Sequence, residues 1–518
     1  MGVPGCSETG QVQIELILPE DAALSPAGDR LAEITLVTWG ADSPLQRDTH
    51  EVEDPSRGVE MGALPAGVEV EVALELRAAS GRLIGYGRAP GTVAAEADGD
   101  TIVPIHVRRP YVYASGAADR LETFDSTLDA GEDGTYGSLD LPAPVASAAT
   151  PDGAELVVVS ALGETDSVLR VIETRTHQAL QSAPVPLGGG VSDVTISADG
   201  ALALVAHDGE AGGVSVVDLA AARGGQAQVT FVAAGAAGAV VAIAGGDGRP
   251  ALALALLARS RAFGCDGTAP ASSLAVVQLD EAPALDATVT LPSPVADLAA
   301  APDGSTVYLA EPCADAVSAL AIDAAVPSVG QPEELLPLEL AGAVAVQGDR
   351  LLAAGALPPD GSDGARLVLV QAGLDGVEPV RTLLPPGQVR AQSVDFEGDD
   401  QTVEVVIDAD QLRPADLVGL PGGEMVALLQ DGYYHSEEWV DIFGDTVVAE
   451  LEVETVEYQL IDVSNRATVH RLRTFCEVTP LTSGTLQDFT CAKEPGQDVH
   501  QESAMYRASQ LSTLYGGR

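Results

Sequence analysis

The stretch Val191–Phe231 reads Val194-Thr195-Ile196-Ser197, the turn Ala198-Asp199-Gly200, Ala201-Leu202-Ala203-Leu204-Val205-Ala206, a short loop, Gly213-Val214-Ser215-Val216-Val217-Asp218, then Gln228-Val229-Thr230-Phe231. Four short runs, each bounded by Gly, Asp or Pro, predict a four-stranded antiparallel unit. The turn returns at Pro151-Asp152-Gly153, Gly246-Asp247-Gly248 and Pro302-Asp303-Gly304, with weaker versions at Gln347-Gly348-Asp349 and Pro421-Gly422-Gly423. The clear glycines stand at 153, 200, 248 and 304, in steps of 47, 48 and 56 residues. A four-stranded repeat of roughly 40–50 residues is the period of a β-propeller blade.

Working outward, the expected architecture is all-β: a seven-bladed β-propeller preceded by a small β-sandwich. The 518 residues exceed one ordinary core, so two or more domains are expected. Aromatics are only 4% of the chain against 46% hydrophobic residues, which leaves Ala, Val, Leu and Gly to fill the cores. Net charge is −51, from 77 acidic and 26 basic residues, and Lys493 is the single lysine. That balance disfavours nucleic-acid binding by phosphate neutralisation. A hydrated, carboxylate-rich surface suited to salt accounts for it better than a cation-binding role, because the acids are scattered.

Residues 1–10 are read as a polar leader and 11–108 as the sandwich, of immunoglobulin-like or transthyretin-like type. Its strands include Gln11–Leu18, Leu31–Trp39, Val68–Leu76, Leu83–Arg88 and Asp100–Val107. The turn Leu64-Pro65-Ala66-Gly67 before an alternating strand resembles prealbumin-like modules of bacterial surface proteins, which implies a spacer or contact surface. The propeller is assigned to 110–492. Blade one, with Tyr111–Ser115 and Leu121–Asp125, lacks an inner strand, and a strand near 485–491 is expected to complete it and close the ring. Blades two to six are placed at about 146–191, 192–238, 239–295, 296–343 and 344–390, and blade seven at 413–475 with an insertion. The tail, 493–518, carries a helical pattern at Met505, Ala508, Leu511, Leu514 and Tyr515.

Ser192–Gly200 followed by Val214–Asp218, and Pro302–Ala310 followed by Val317–Asp323, resemble YVTN-type propeller repeats, of the group that includes lactonase-like and surface-layer propellers. The resemblance spans most of 110–475 and implies the fold; propellers host both enzymes and binding modules.

The five cysteines are Cys6, Cys265, Cys313, Cys476 and Cys491, with no Cys-x-x-Cys spacing, so a zinc or redox site has no support. Cys265 and Cys313 fall in matching loops of adjacent blades and are expected to pair. Cys476 and Cys491 would form a clasp at the ring closure, and the pattern points to an oxidising compartment. Val3-Pro4-Gly5-Cys6 resembles the end of a bacterial lipoprotein signal, although Pro4 departs from the pattern and the preceding apolar segment is absent from the sequence. The resemblance implies lipidation at Cys6, a membrane tether, and an extracellular or periplasmic, outer-surface location.

Candidate binding residues lie in enlarged loops between second and third strands. Blade four contributes Arg259, Arg261 and Phe263. Blade seven contributes Tyr433, Tyr434, His435, Trp439 and Phe443, where eleven residues hold four of the chain's nineteen aromatics. Rings give large contact area at low entropy cost, so a protein or glycan partner is expected; a small satellite core is the competing reading. The seven histidines show no metal-ligand spacing, no cofactor is implied, and no catalytic residue is assigned. Acidic turns at Asp360–Gly364 and Asp395–Asp400 are weak calcium candidates. The alternative function is a lactonase-like or other hydrolase with its site at the channel mouth.

Overall fold

The computed structural model describes residues 9–10, 12–17, 31–40, 43–51, 59–60, 64–65, 69–78, 83–92, 101–116, 120–125, 136–163, 165–174, 176–180, 184–209, 211–225, 228–245, 251–259, 270–279, 282–323 and 328–347. It further describes 350–357, 366–373, 376–383, 387–394, 400–407, 412–420, 425–436, 439–440, 446–447, 451–462, 467–480 and 508–513. Strands dominate, and the chain is all-β.

The stretch Val191–Phe231 forms the antiparallel meander that its pattern implies: Val191–Ile196, Leu202–His207, Gly213–Asp218 and Val229–Ala233, paired in that order. Among the described residues, seven sheets follow this plan, and the first strand of each touches the first strand of the next. Ala508–Thr513 touches Pro144–Ala149, and the series continues through Val191–Ile196, Ala237–Ile243, Asp297–Ala300, Glu339–Gln347 and Leu412–Gly419, which returns to Ala508–Thr513. This cyclic order is a propeller arrangement, and the sheets are called blades one to seven below.

Asp-Gly turns set the first hairpins of blades two, three and five. Gly153, Gly200 and Gly304 have φ of 64°, 70° and 68°, a left-handed conformation that glycine adopts without strain. Their N–H groups donate to the carbonyls of Thr150 (2.7 Å), Ser197 (2.8 Å) and Ala301 (2.9 Å). The aspartate fastens the turn from inside. Asp199 Oδ1 accepts from Ala201 N (3.0 Å) and Ser197 Oγ (2.6 Å), and Asp152 repeats this with Ala154 N and Thr150 Oγ1. Gly246–Gly248 lie outside the described residues.

Blades pack through small apolar side chains, as the low aromatic content requires. Between blades three and four, Leu204, Ala206, Val214 and Val216 meet Val240, Ala253, Ala255, Ala275 and Val277. Burying each Val or Leu contributes about 1.5–3 kcal/mol.

N-terminal to the ring, Val59–Glu60, Val12–Ile17 and Thr101–His106 form one sheet, the last two strands running parallel. Ser43–Glu51, Leu31–Gly40, Glu69–Ala78 and Leu83–Thr92 form a second. Both contribute to one core containing Ile14, Leu36, Leu74, Ile84 and Ile105. A backbone pair between Tyr86 and Arg108 (2.8 Å each way) fastens the end of this region to its second sheet, and the Arg109–Asp125 ion pair (2.5 Å) joins the next residue to blade one.

Three expectations are corrected. The inner strand of blade one is Ala508–Thr513, pairing Val112 with Thr513 and Ala114 with Leu511; Thr485–Cys491 lie outside the described residues. The tail segment expected to be helical is therefore a strand. A short isolated helix is marginal, whereas the free edge of Tyr111–Gly116 offers a full row of backbone partners. Blade six ends at Leu383, and Gly387–Val394 pairs with Asp400–Ile407 as a separate hairpin. The blade-seven insertion is not a loop throughout: Gln430–Ser436 continues the strand Met425–Ser436.

Candidate functional site

The connections between second and third strands differ sharply among blades. Blade five uses the tight turn Pro312–Asp315 between Thr306–Glu311 and Ala316–Asp323, with half-buried Cys313 within it. In blade four the corresponding connection starts at Arg259, whose side chain is only 8% exposed. Its Nε donates to Ala296 O (2.6 Å), Nη1 to Gly238 O (3.4 Å) and Nη2 to Asp297 Oδ1 (3.3 Å). Arg259 is thus committed to fastening blade four onto the inner strand of blade five, a structural role the sequence reading missed. Arg261, Phe263 and Cys265 lie outside the described residues.

Asp297 belongs to a pattern that was also missed. Asp193 Oδ2 in blade three accepts from Val240 N in blade four (2.9 Å), while its Oδ1 accepts from Val194 N (2.9 Å). Asp297 Oδ2 in blade five accepts from Val344 N in blade six (3.1 Å). Asp416 in blade seven accepts from Leu417 N (3.0 Å). The inner strands of blades two, four and six carry Ala146, Ala239 and Ala343 beside the corresponding irregularities of register. Aspartates therefore alternate with alanines from blade two to blade seven, and the buried carboxylates of Asp193 and Asp297 stitch their inner strands to those of the following blades. A lone acid opening an apolar run, as in Ser192-Asp193-Val194, is the sequence signal.

A second polar position closes the second strand of several blades. His207 is 2% exposed. Its Nδ1 lies 3.0 Å from Gly189 O and its Nε2 2.9 Å from Ser215 Oγ. The carbonyl can only accept, so Nδ1 carries the proton and Nε2 accepts from the serine. Burial lowers the imidazole pKa, opposed by the Gly189 carbonyl and Asp208. In blade five the equivalent residue is Glu311, whose two oxygens accept from Ser293 Oγ and Ser318 Oγ. These are satisfied internal networks. Among the described residues, no group of three or more His, Cys, Asp or Glu side chains is placed to hold a metal. Asp360–Gly364 and Asp395–Asp399 lie outside the described residues.

Blade seven differs in length. Met425–Ser436 pairs with Leu451–Asp462 throughout, and the latter with Ala467–Pro480. The inner strand stops opposite Gly432, so Tyr433, Tyr434 and His435 lie beyond it in a three-stranded extension. There Tyr433 pairs with Glu454, Tyr434 with Val453 and His435 with Glu452. Trp439–Val440 pairs with Thr446–Val447 as a small hairpin within the same connection. Phe443 lies outside the described residues. The structure therefore brings Tyr433, Tyr434 and His435 onto one strand, with Trp439 on the adjoining hairpin, and places Arg259 elsewhere. Cys476 pairs across from Thr455; Cys491 and Cys6 lie outside the described residues.

No family model and no curated protein matches the chain. Solved structures with a similar course include a hydrazine synthase from Kuenenia stuttgartiensis (14% identity, 61% of this chain and 97% of that one, TM-score 0.37). They also include the β-propeller domain of Cps50 (Swd1) from Myceliophteria thermophila (11%, 64% and 87%, 0.38) and TolB from Acinetobacter baumannii (15%, 60% and 75%, 0.31). At these scores the likenesses carry no argument, and the propeller architecture rests on the chain's own strand order.

Proposed function

We propose that this is a binding protein of the cell envelope that presents its blade-seven extension to a protein or glycan partner. The observation carrying the reading is the extension of blade seven past its own inner strand. A blade needs only about six residues per strand to pack, as Leu202–His207 and Gly213–Asp218 illustrate. The extra length in Met425–Ser436, Leu451–Asp462 and Ala467–Pro480 is not required for that packing. It carries Tyr433, Tyr434 and His435, and its connection carries Trp439 and Phe443. Aromatics concentrated in a chain so poor in them fit the large, preorganised contacts of a recognition surface. Arg261 and Phe263, in the blade-four connection, are proposed as secondary contacts. Cys265 and Cys313 are proposed to staple the blade-four and blade-five connections. Cys476–Cys491 is proposed as a second bridge, and Cys6 as the lipid attachment that keeps the molecule at the outer surface. The N-terminal sheets would then stand between membrane and ring as a spacer.

The test is affinity capture from the native envelope with the intact chain and with a variant whose residues 437–450 are replaced by a short turn. Loss of a specific partner on replacement supports the reading; an unchanged partner set removes the extension as the binding element.

A further inference from the structure

We propose that the outer strand of blade three, Val229–Ala233, accepts an added β-strand from a cationic, extended segment of another protein, a site independent of the blade-seven reading. The strand is the last in its sheet and pairs on one side only, with Gly213–Asp218. Its register fixes which backbone groups are already used. Asp218 N donates to Gln228 O (3.3 Å), and Ala234 N donates to Gly212 O (3.3 Å). In an antiparallel pair such bonded positions alternate with unbonded ones, so Thr230 and Val232 also bond inward. The N–H and C=O groups of Val229, Phe231 and Ala233 therefore point away from the blade. All three residues are exposed. Phe231, at 47% exposure, stands across the buried His207 ring with centroids 5.6 Å apart.

An open edge invites another strand unless charge, proline or a bulge blocks it. The other blades carry such blocks. The outer strand of blade two, Val185–Gly188, contains Pro186, and that of blade five, Glu333–Pro337, has an acid at one end and a proline at the other. Blade six has Pro379 within Gly376–Leu383, and blade seven has Arg471 and Arg473 within Ala467–Pro480. Asp140 ends the outer strand of blade one, and Asp286 interrupts that of blade four. Val229-Thr230-Phe231-Val232-Ala233 has no charge, no proline and no shift of register.

Charge decides the occupant. Among the described residues of blades three and four, the cations Arg223 and Arg259 are paired with Glu155 and Asp297, whereas Asp199, Asp208 and Asp286 are exposed. The chain's net charge is −51, so a second copy meeting this edge is repelled, and a segment flanked by lysine or arginine is attracted. Laid beside Val229–Ala233, an alternating segment bonds to the outward backbone groups and sets its apolar side chains on Val229 and Phe231.

The test follows amide exchange of the full chain, resolved to single residues. The probe is a synthetic peptide of alternating threonine and valine, capped at both ends by paired lysines. In the free protein Thr230 and Val232 should exchange slowly, and Val229, Phe231 and Ala233 rapidly. Peptide at about ten times its dissociation constant should slow the latter amides roughly tenfold. Val229→Pro removes an outward N–H and no bond within the blade, and should weaken binding about tenfold. Glutamate in place of the peptide's lysines should abolish binding. No slowing at these amides, equal slowing by the glutamate peptide, or protection that rises with protein concentration alone through a dimer, would overturn the proposal. If Val229→Pro does not fold, Phe231→Lys decides: it removes the ring and sets a like charge against the peptide, so undiminished binding by that variant also overturns the proposal.

Discussion

Replacing Glu122 by Gln should change how the stability of the chain depends on pH. Glu122 lies in the third strand of blade one, Arg120–Asp125, opposite Ala114 and Ser138. It is 8% exposed, and its Oε2 has no hydrogen-bond partner. Burial pushes its pKa from the ordinary 4.5 up to about 7, against the opposing pull of Arg120. Below pH 4.5 the carboxyl is neutral in both folded and unfolded chains, and the folded state bears no penalty. Between 4.5 and 7 the unfolded chain releases the proton while the folded chain retains it. Stability then falls by about 1.4 kcal/mol per pH unit, reaching a loss of about 3 kcal/mol above pH 7. Glutamine keeps the shape and cannot ionise. Glu122→Gln should therefore match the wild type near pH 4 and exceed it by about 3 kcal/mol near pH 8. Urea melts of both proteins across that range measure the difference. His177 and His207, whose pKa values burial lowers, destabilise both proteins equally as pH falls below about 6.5 and cancel. A difference that stays constant from pH 4 to pH 8 would refute the argument.

Other outcomes follow from the ring. Asp193→Ala removes two hydrogen bonds to a buried carboxylate and leaves the Val240 N–H unmet, which should cost about 3 kcal/mol in urea melts; no loss would show that the stitch is dispensable. Truncation after residue 507 removes the inner strand of blade one, and hydrogen exchange at Val112–Ser115 should lose its protection. Retained protection there would mean another segment fills the edge. Peptide mapping without reductant should recover Cys265 linked to Cys313, and free thiols at both positions would remove the proposed staple.

The blade repeat was legible because its turn has a strict chemical requirement. Gly200 must reach positive φ, Asp199 must bond back to the turn, and the strands on either side alternate. The closing strand was not legible, because Ala508–Thr513 pairs with residues from the opposite end of the chain. Local spacing of Ala508, Leu511 and Leu514 reads as a helix, and only the vacant edge of Tyr111–Gly116 decides otherwise. Arg259 was correctly picked out as unusual but misread: a cation beside an enlarged loop looks like a contact residue until Asp297 and the carbonyls of Gly238 and Ala296 are seen around it. The aromatics of blade seven were located from composition. Their placement on an extended strand was hidden, because Asp431-Gly432 interrupts the apolar run as a turn would. The alternating aspartates were visible individually, but their reach into the following blade depends on inter-blade packing that no local pattern encodes.

The most direct measurement uses a photo-crosslinking amino acid at position 439 on the surface of the native cell, with the same group at position 231 on the outer strand of blade three as control. The account predicts one defined protein or glycan adduct from position 439 and none of that product from position 231. No adduct at 439, or the same product from both positions, would contradict recognition through the blade-seven extension.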